Sequence, residues 1–305
     1  MSSLSSAEQS VEGKFGGSSE VTMNTVVSQP PSLNALLEQP KYEIIPMKRV
    51  EQSFEFIPKN AKVSVTVSPS KGIEATLELA DQIGKYVAPE QITPHVSARL
   101  VEGKDHVKYI LERVRDLGTK EIFVVGGDAS EPVGPYKGSF DLVRAIRDVD
   151  TDVRLGVTAY PEGHPSIPEE VLEQDLLNKQ PYAQFMATQL CFDAATIKGW
   201  LETRREAGVT LPLQIGMAGV VDMIKLTQIA TRIGVGDSLR YLTKHAGTVF
   251  KLMSGYKPDD LLENLTPIFG DPFYNVEAFH VYTFNQLEKT ERWRKEKLKE
   301  IGSRK

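Results

Sequence analysis

Cysteine is nearly absent: Cys191 is the one thiol in 305 residues. An internal disulfide and a multi-cysteine zinc centre are excluded, and a reducing, cytoplasmic setting suits the chain. Cys191 sits in an apolar strand-like run and reads as a small buried hydrophobe rather than a reactive thiol. Basic charge is not in excess either. Lys and Arg number 36 against 41 Asp and Glu, a formal net charge of −5, which argues against a nucleic-acid surface. No apolar run approaches the roughly 18 residues of a membrane span. Glycine is missing from the first strand and its turn, Tyr42 to Arg49. A doubly wound dinucleotide-binding sheet would carry a G-x-G-x-x-G turn there.

Residues 1–40 are rich in Ser, Gln, Glu and Gly and include Pro30 and Pro31. They lack the apolar core of a secretory signal, and Glu8, Glu12 and Glu20 count against an acid-poor transit peptide. A flexible extension over 1–40 and a catalytic domain over 41–305 are expected.

What the rest of the chain holds is a repeated alternation. Short apolar, β-branched runs begin at Tyr42, Lys62, Gln91, Glu121, Arg154, Phe185, Leu211 and Glu277. Each leads into a stretch of helical periodicity, such as Val107, Ile110, Leu111, Val114 and Leu117 in 105–118. Asp105 reads as a helix N-cap and Gly118 as a C-cap; Asp193 and Gly208 bracket a later helix in the same way. Two short helices are expected within 237–267. Strands apolar on both faces call for protein on both sides. Eight such units over about 260 residues predict an α/β fold, the (β/α)8 TIM barrel, whose active site lies at the carboxyl ends of the strands.

The polar residues at those ends carry the candidate chemistry. Glu43 lies in the first strand between Tyr42 and Ile44, where aliphatic surroundings would raise its pKa and make it a general acid near neutral pH. Asp128 follows Gly126 and Gly127, which let a ligand approach the backbone closely. Tyr160 to Pro165, YPEGHP, offers a ring and His164 to a planar ligand. His95 lies in the third strand run, and Gln189, in the sixth, needs partners for both ends of its amide.

Taken together, YEIIP, VSVT, TPH, GGD, YPEGHP, DLLNKQ and TQLCFD resemble, in order and spacing, the methylenetetrahydrofolate reductases in their single-domain bacterial form, over roughly residues 42–290. The resemblance implies a TIM barrel that holds FAD, takes electrons from NADH or NADPH, and reduces 5,10-methylenetetrahydrofolate to 5-methyltetrahydrofolate in one-carbon metabolism. By that resemblance Glu43 is the acid that opens the folate ring, and Asp128 stabilises the developing positive charge. Thr66, His95, Val125, Gly126, Gly127, Tyr160 and His164 match flavin contacts. Asp175, Asn178 and Lys179 match the region that holds the ribose and diphosphate, and Gln189 matches a folate contact. A homo-oligomer is compatible with the family; no resident metal, nucleic acid or membrane is implied.

SFEFIP, Ser53 to Pro58, resembles the family's first strand more closely than YEIIP does, which makes Glu55 the fallback acid. Glu43 is preferred because parallel neighbours need a crossover of roughly a dozen residues or more, and Phe56 is too close to the second strand. The family's arginine before Gly-Asp is replaced here by Gly126, which removes a rigid charged donor. The stretch between Asn178 and Gln189 is short, and IGMAGVVD stands after the seventh strand. Competing readings are a metal-dependent barrel hydrolase using His95, His164, Asp128 and Glu43, and a non-catalytic folate-binding protein. A Schiff-base aldolase is disfavoured because Lys71 sits in a loop rather than in a strand.

Overall fold

A computed structural model of the chain describes residues 30–233 and 255–303. Eight parallel strands close in sequence order into one barrel, and the last pairs back onto the first. They are β1 (Lys41–Ile44), β2 (Lys62–Val65), β3 (Ile92–Ser97), β4 (Glu121–Val125), β5 (Arg154–Ala159), β6 (Phe185–Thr188), β7 (Leu213–Ala218) and β8 (Val276–Tyr282). Helices α2 (Gly72–Ile83), α3 (Lys104–Asp116), α4 (Ser139–Arg147), α5 (Glu169–Lys179), α6 (Ala194–Glu206) and α7 (Met223–Ile233) follow β2 to β7 in turn. A 3-10 turn, Val50–Phe56, links β1 to β2, and α8 (Asp259–Leu265) and α9 (Leu287–Ser303) flank β8. The TIM barrel expected from the strand–helix alternation is the architecture found. Ile44, Val63, Ile122 and Val157 share one apolar core with helix residues Leu77, Leu111, Leu142 and Ile197. Each such side chain taken fully out of water contributes about 1.5–3 kcal/mol.

Side chains alternate along a strand, so Lys41 and Glu43 face the same way, into the barrel. Lys41 sets an ionic floor. Its ammonium meets Glu121 at 2.5 Å; Arg154 bonds Glu121 and, at 2.9 Å, Glu277; the Gln214 amide donates to Glu277 at 2.7 Å. Burial alone would raise the Glu121 carboxyl, yet Lys41 and Arg154 together hold it down at about 2. Phe185 covers this floor, with Lys41 and Arg154 each 4.6 Å from its ring centre. Phe123 stacks 6.0 Å from Phe185. Gly156 leaves them room, since a Cβ there would lie 2.0 Å from Phe185. The barrel is therefore filled from below by ions and then by rings, and Glu43 lies one side-chain layer above Lys41.

The elements differ from expectation in three ways. The segment expected to be a flexible extension contains α1 (Leu33–Glu38), capped by Ser32, with Leu36 and Leu37 buried. Arg294 of α9 donates to the Leu37 carbonyl at 2.8 Å. Six residues are too few to give a helical period, which hid the element. Residues 1–29 lie outside the described residues. Helix α3 starts at Lys104 with Gly103 at the cap, so Asp105 sits in the first turn. Strand β6 stops at Thr188, so Gln189 and Cys191 lie beyond it. The apolar run continues because Leu190 and Phe192 join a second small core with Val221, Tyr256 and Phe284. Of the two short helices expected in 237–267, α8 is seen; 237–254 lies outside the described residues.

Lys41→Met removes one of the two cations that compensate buried Glu121. It should cost about 3 kcal/mol in denaturant unfolding at neutral pH. Adding Glu121→Gln should return much of that loss.

Candidate active site

Glu43 is held on the barrel axis by β1 and its neighbours. Its backbone carbonyl accepts from the Thr283 hydroxyl at 2.5 Å, and its Oε2 lies 3.0 Å from Nε2 of His280 on β8. The Glu43 side chain is 12% exposed. Burial raises its pKa to about 7, with the charge of His95 opposing in part. His95 and His280 are each pushed down to about 3, first by burial, and so are neutral at any working pH. His95 Nε2 sits 2.6 Å from the Ser64 hydroxyl, and its ring packs on Phe123 at 4.8 Å. His280 Nδ1 is buried without a hydrogen-bond partner. The fallback, Glu55, lies exposed on the 3-10 turn.

Two tyrosines continue the site towards β5. Tyr282, two residues on from His280, donates to the Thr188 carbonyl at 2.8 Å. Burial raises its hydroxyl well above the ordinary range, and the charges of Glu43 and Tyr160 add to the effect. Tyr160, just past β5, is raised mainly by burial and further by the Asp175 and Asp128 carboxylates; a Thr158 hydrogen bond opposes. Those charges place Asp128 within electrostatic reach of Tyr160. The His164 ring meets Tyr160 edge-on at 5.5 Å. Gln189 is tied to the same edge by its N–H on the Ala159 carbonyl, 2.7 Å. Thr66, the residue after β2, donates its backbone N–H to the Ile44 carbonyl of β1 at 3.0 Å.

Asp128 is exposed on the β4–α4 loop. Gly127 before it has φ +94°, and a Cβ there would lie 1.9 Å from the Ser97 hydroxyl, so glycine is required on both counts. Arg99 braces the loop, its guanidinium donating to the carbonyls of Ala129, Ser130 and Lys137.

A family model described as methylenetetrahydrofolate reductase matches residues 44–239. The chain belongs to that family. It is 26% identical over 206 residues to a probable methylenetetrahydrofolate reductase (NADPH) of Caenorhabditis elegans, 63% of this chain and 30% of that one. It is 27% identical over 118 residues to methylenetetrahydrofolate reductase 1 of Schizosaccharomyces pombe, 35% of this chain and 19% of the relative. It is 30% identical over 119 residues to methylenetetrahydrofolate reductase 2 of Saccharomyces cerevisiae, 35% of this chain and 20% of the relative. The aligned stretches thus span less than a third of these longer relatives. Asp128, Tyr160 and Gln189 lie within the family match, and Glu43 stands immediately before it.

Of the residues that resemblance assigns to this reductase family's flavin, Thr66, Val125, Gly126, Gly127, Tyr160 and His164 lie at strand ends around the mouth. His95 lies inside the barrel beside Glu43 and His280 and is 5% exposed. Asp175, Asn178 and Lys179 do not form an anion site. Lys179 is 1% exposed, turned inward onto Asp175 at 2.5 Å and the Ser139 hydroxyl at 3.3 Å. Exposed Asn178 accepts from Gln174 at 3.0 Å. A donor set whose one cation is already neutralised by a carboxylate does not fit the diphosphate of FAD.

His280, Tyr282 and Ser64 were not among the expected site residues. A histidine and a tyrosine two apart in FHVY share one strand face, the same pattern that brought His95 forward. Among the described residues, the group that brings one metal-capable atom each within 4.8 Å is Glu43, His95 and His280. His164 and Asp128, which the hydrolase reading needs, are not in it. The donors Nε2 of His95 and Nε2 of His280 are occupied by Ser64 and Glu43.

Glu43 favours its protonated form in the folded state, so its contribution to stability is full below about pH 4.5 and is lost as pH rises through about 7. Glu43→Gln keeps the neutral shape. It should be more stable than the parent by up to about 3 kcal/mol near pH 8 and unchanged near pH 4, read from paired denaturant curves.

Proposed function

We propose that the barrel mouth reduces a methylene-bridged tetrahydrofolate to its methyl form, with NADH or NADPH as the source of electrons. The observation that supports this best is the buried, neutral-tending carboxyl of Glu43 at the strand ends of a barrel belonging to this family. FAD, which the resemblance implies as the hydride relay, meets no diphosphate anchor in the matched region Asp175 to Lys179 among the described residues, so the steps are those of the chain's own side chains.

Glu43 enters the reaction as the acid. Its proton goes to the bridging nitrogen that leaves the methylene carbon, and the five-membered ring opens to an iminium. The cation so formed is electron-poor at that carbon. Asp128, exposed at the mouth and close enough to act on Tyr160, supplies the opposite charge. Hydride adds to the methylene carbon and makes it a methyl group. Tyr160 and Tyr282 give the flat pterin aromatic walls, and the Gln189 amide reads its polar edge. Neutral His280 holds Glu43 without supplying a charge that would ionise it.

Glu43→Gln should lower folate turnover by about 10²- to 10⁴-fold while leaving pyridine-nucleotide binding intact. The parent's kcat should decline above about pH 7 as the acid deprotonates. Parent-like turnover in Glu43→Gln would place the proton donor elsewhere. Asp128→Asn should slow turnover more than it weakens folate binding, as separated by kcat and KM in steady-state kinetics.

A further inference from the structure

The rim around β4 to β6 is built against a dianion. FAD is a resident cofactor only if its diphosphate is met by cations or by free backbone N–H groups. Among the described residues of this rim the buried cations are already paired, and the first amides at α4 and α6 already meet carboxylates. From Tyr160 to Lys179 the chain carries Glu162, Glu169, Glu170, Glu173 and Asp175, and its one lysine is the buried Lys179 on Asp175. Arg204 of α6, which reaches the cleft beside α5, is buried and paired with Glu173. Arg99 spends its guanidinium on three carbonyls. Gly126 supplies nothing, although space is open there: the nearest atom to an added Cβ is the Ser139 nitrogen, at 4.0 Å. Exposed Lys137 is the exception, and one ammonium matches half of a diphosphate's charge.

The helix ends repeat the pattern. The first free amides before α4, those of Lys137 and Gly138, donate to the Asp141 carboxylate at 3.0 and 3.3 Å. The first turn of α5 holds Glu169 and Glu170 behind Pro168. At α6, Asp193 accepts from the Ala195 N–H at 3.0 Å. Carboxylates bond the first amides at α4 and α6 and stand in the first turn of α5, so an incoming phosphate meets like charge. At the centre, by contrast, Glu43 is held by neutral His280, Tyr282 is bonded to the Thr188 carbonyl, and the Gly127 backbone is exposed.

We propose that this chain passes hydride directly from the dihydronicotinamide of NADH or NADPH to the folate's methylene carbon, in a ternary complex and without a resident flavin. This rests on the folate-reducing reading above. The step balances without a relay. The C4–H bond of the dihydronicotinamide breaks and its electron pair forms the new C–H bond of the methyl group. The nicotinamide leaves oxidised, and the Glu43 proton stays on the released ring nitrogen. A dinucleotide that binds and leaves each turnover needs no permanent anchor, whereas FAD does.

The experiment uses the full chain, shown free of flavin by its absorbance spectrum, with C4-deuterated NADH or NADPH (each face in turn) and methylenetetrahydrofolate in ordinary water. The expected result is turnover without added FAD, deuterium retained in the product methyl group from one face, and intersecting initial-rate lines. Added FAD should neither raise the rate nor bind more tightly than about 100 µM. Turnover that appears only with FAD, with the label lost to solvent through the exchangeable N5 hydrogen of reduced flavin and parallel rate lines, overturns direct transfer and leaves the folate reading standing. No methyl product with or without FAD overturns both.

Discussion

Desolvation of one carboxyl group is the constraint on which this molecule turns. Closing eight strands into a barrel forces inward residues to face one another, so a carboxyl on β1 meets side chains from β2, β3 and β8 rather than water. The barrel interior then has to fill its lower volume with something that tolerates ions. Lys41, Glu121, Arg154 and Glu277 do so as a mutually neutralising set. Phe185 and Phe123 separate that set from the reactive layer. Without the aromatic partition, the floor cations would stand nearer Glu43 and favour its ionised form, the wrong state for the proton donor proposed here.

Two electrostatic regimes therefore meet within one strand's length. Below, charges are buried and paired. Above, the rim from β4 to β6 is acidic, with carboxylates bonded at the poles of α4 and α6 and lodged in the first turn of α5. Both follow from composition only in the weakest sense, since a net charge of −5 says nothing of where the carboxylates gather. The consequence for ligands is directional. On the proposed function, an acidic rim favours a cationic intermediate at the mouth over a permanently bound dianion.

The sequence was most legible where chemistry and periodicity coincide. Strand–helix alternation gave the barrel because each unit repeats the same burial problem. The crossover-length argument separated Glu43 from Glu55, and the two lie inside the barrel and on the surface respectively. Strand ends were less legible: apolar content persists past β6 because Leu190 and Phe192 cover the strand ends in a second core. Lys179, matched by resemblance to the region that holds the ribose and diphosphate, is turned inward onto Asp175, and a motif match carries no information about which face of α5 a residue takes. His280 went unseen because its role depends on a partner, Glu43, that lies 237 positions away in the chain.

The seam between β1 and β8 joins three residue pairs, Lys41 with His280, Tyr42 with Val281 and Glu43 with Tyr282. Glu43 and the histidine it touches thus come from the first and last staves of the barrel. On the proposed function, the acid and the side chain that holds it are contributed by opposite ends of the folded sequence, so a truncation that removes β8 takes away the partner of Glu43 even where the other strands remain.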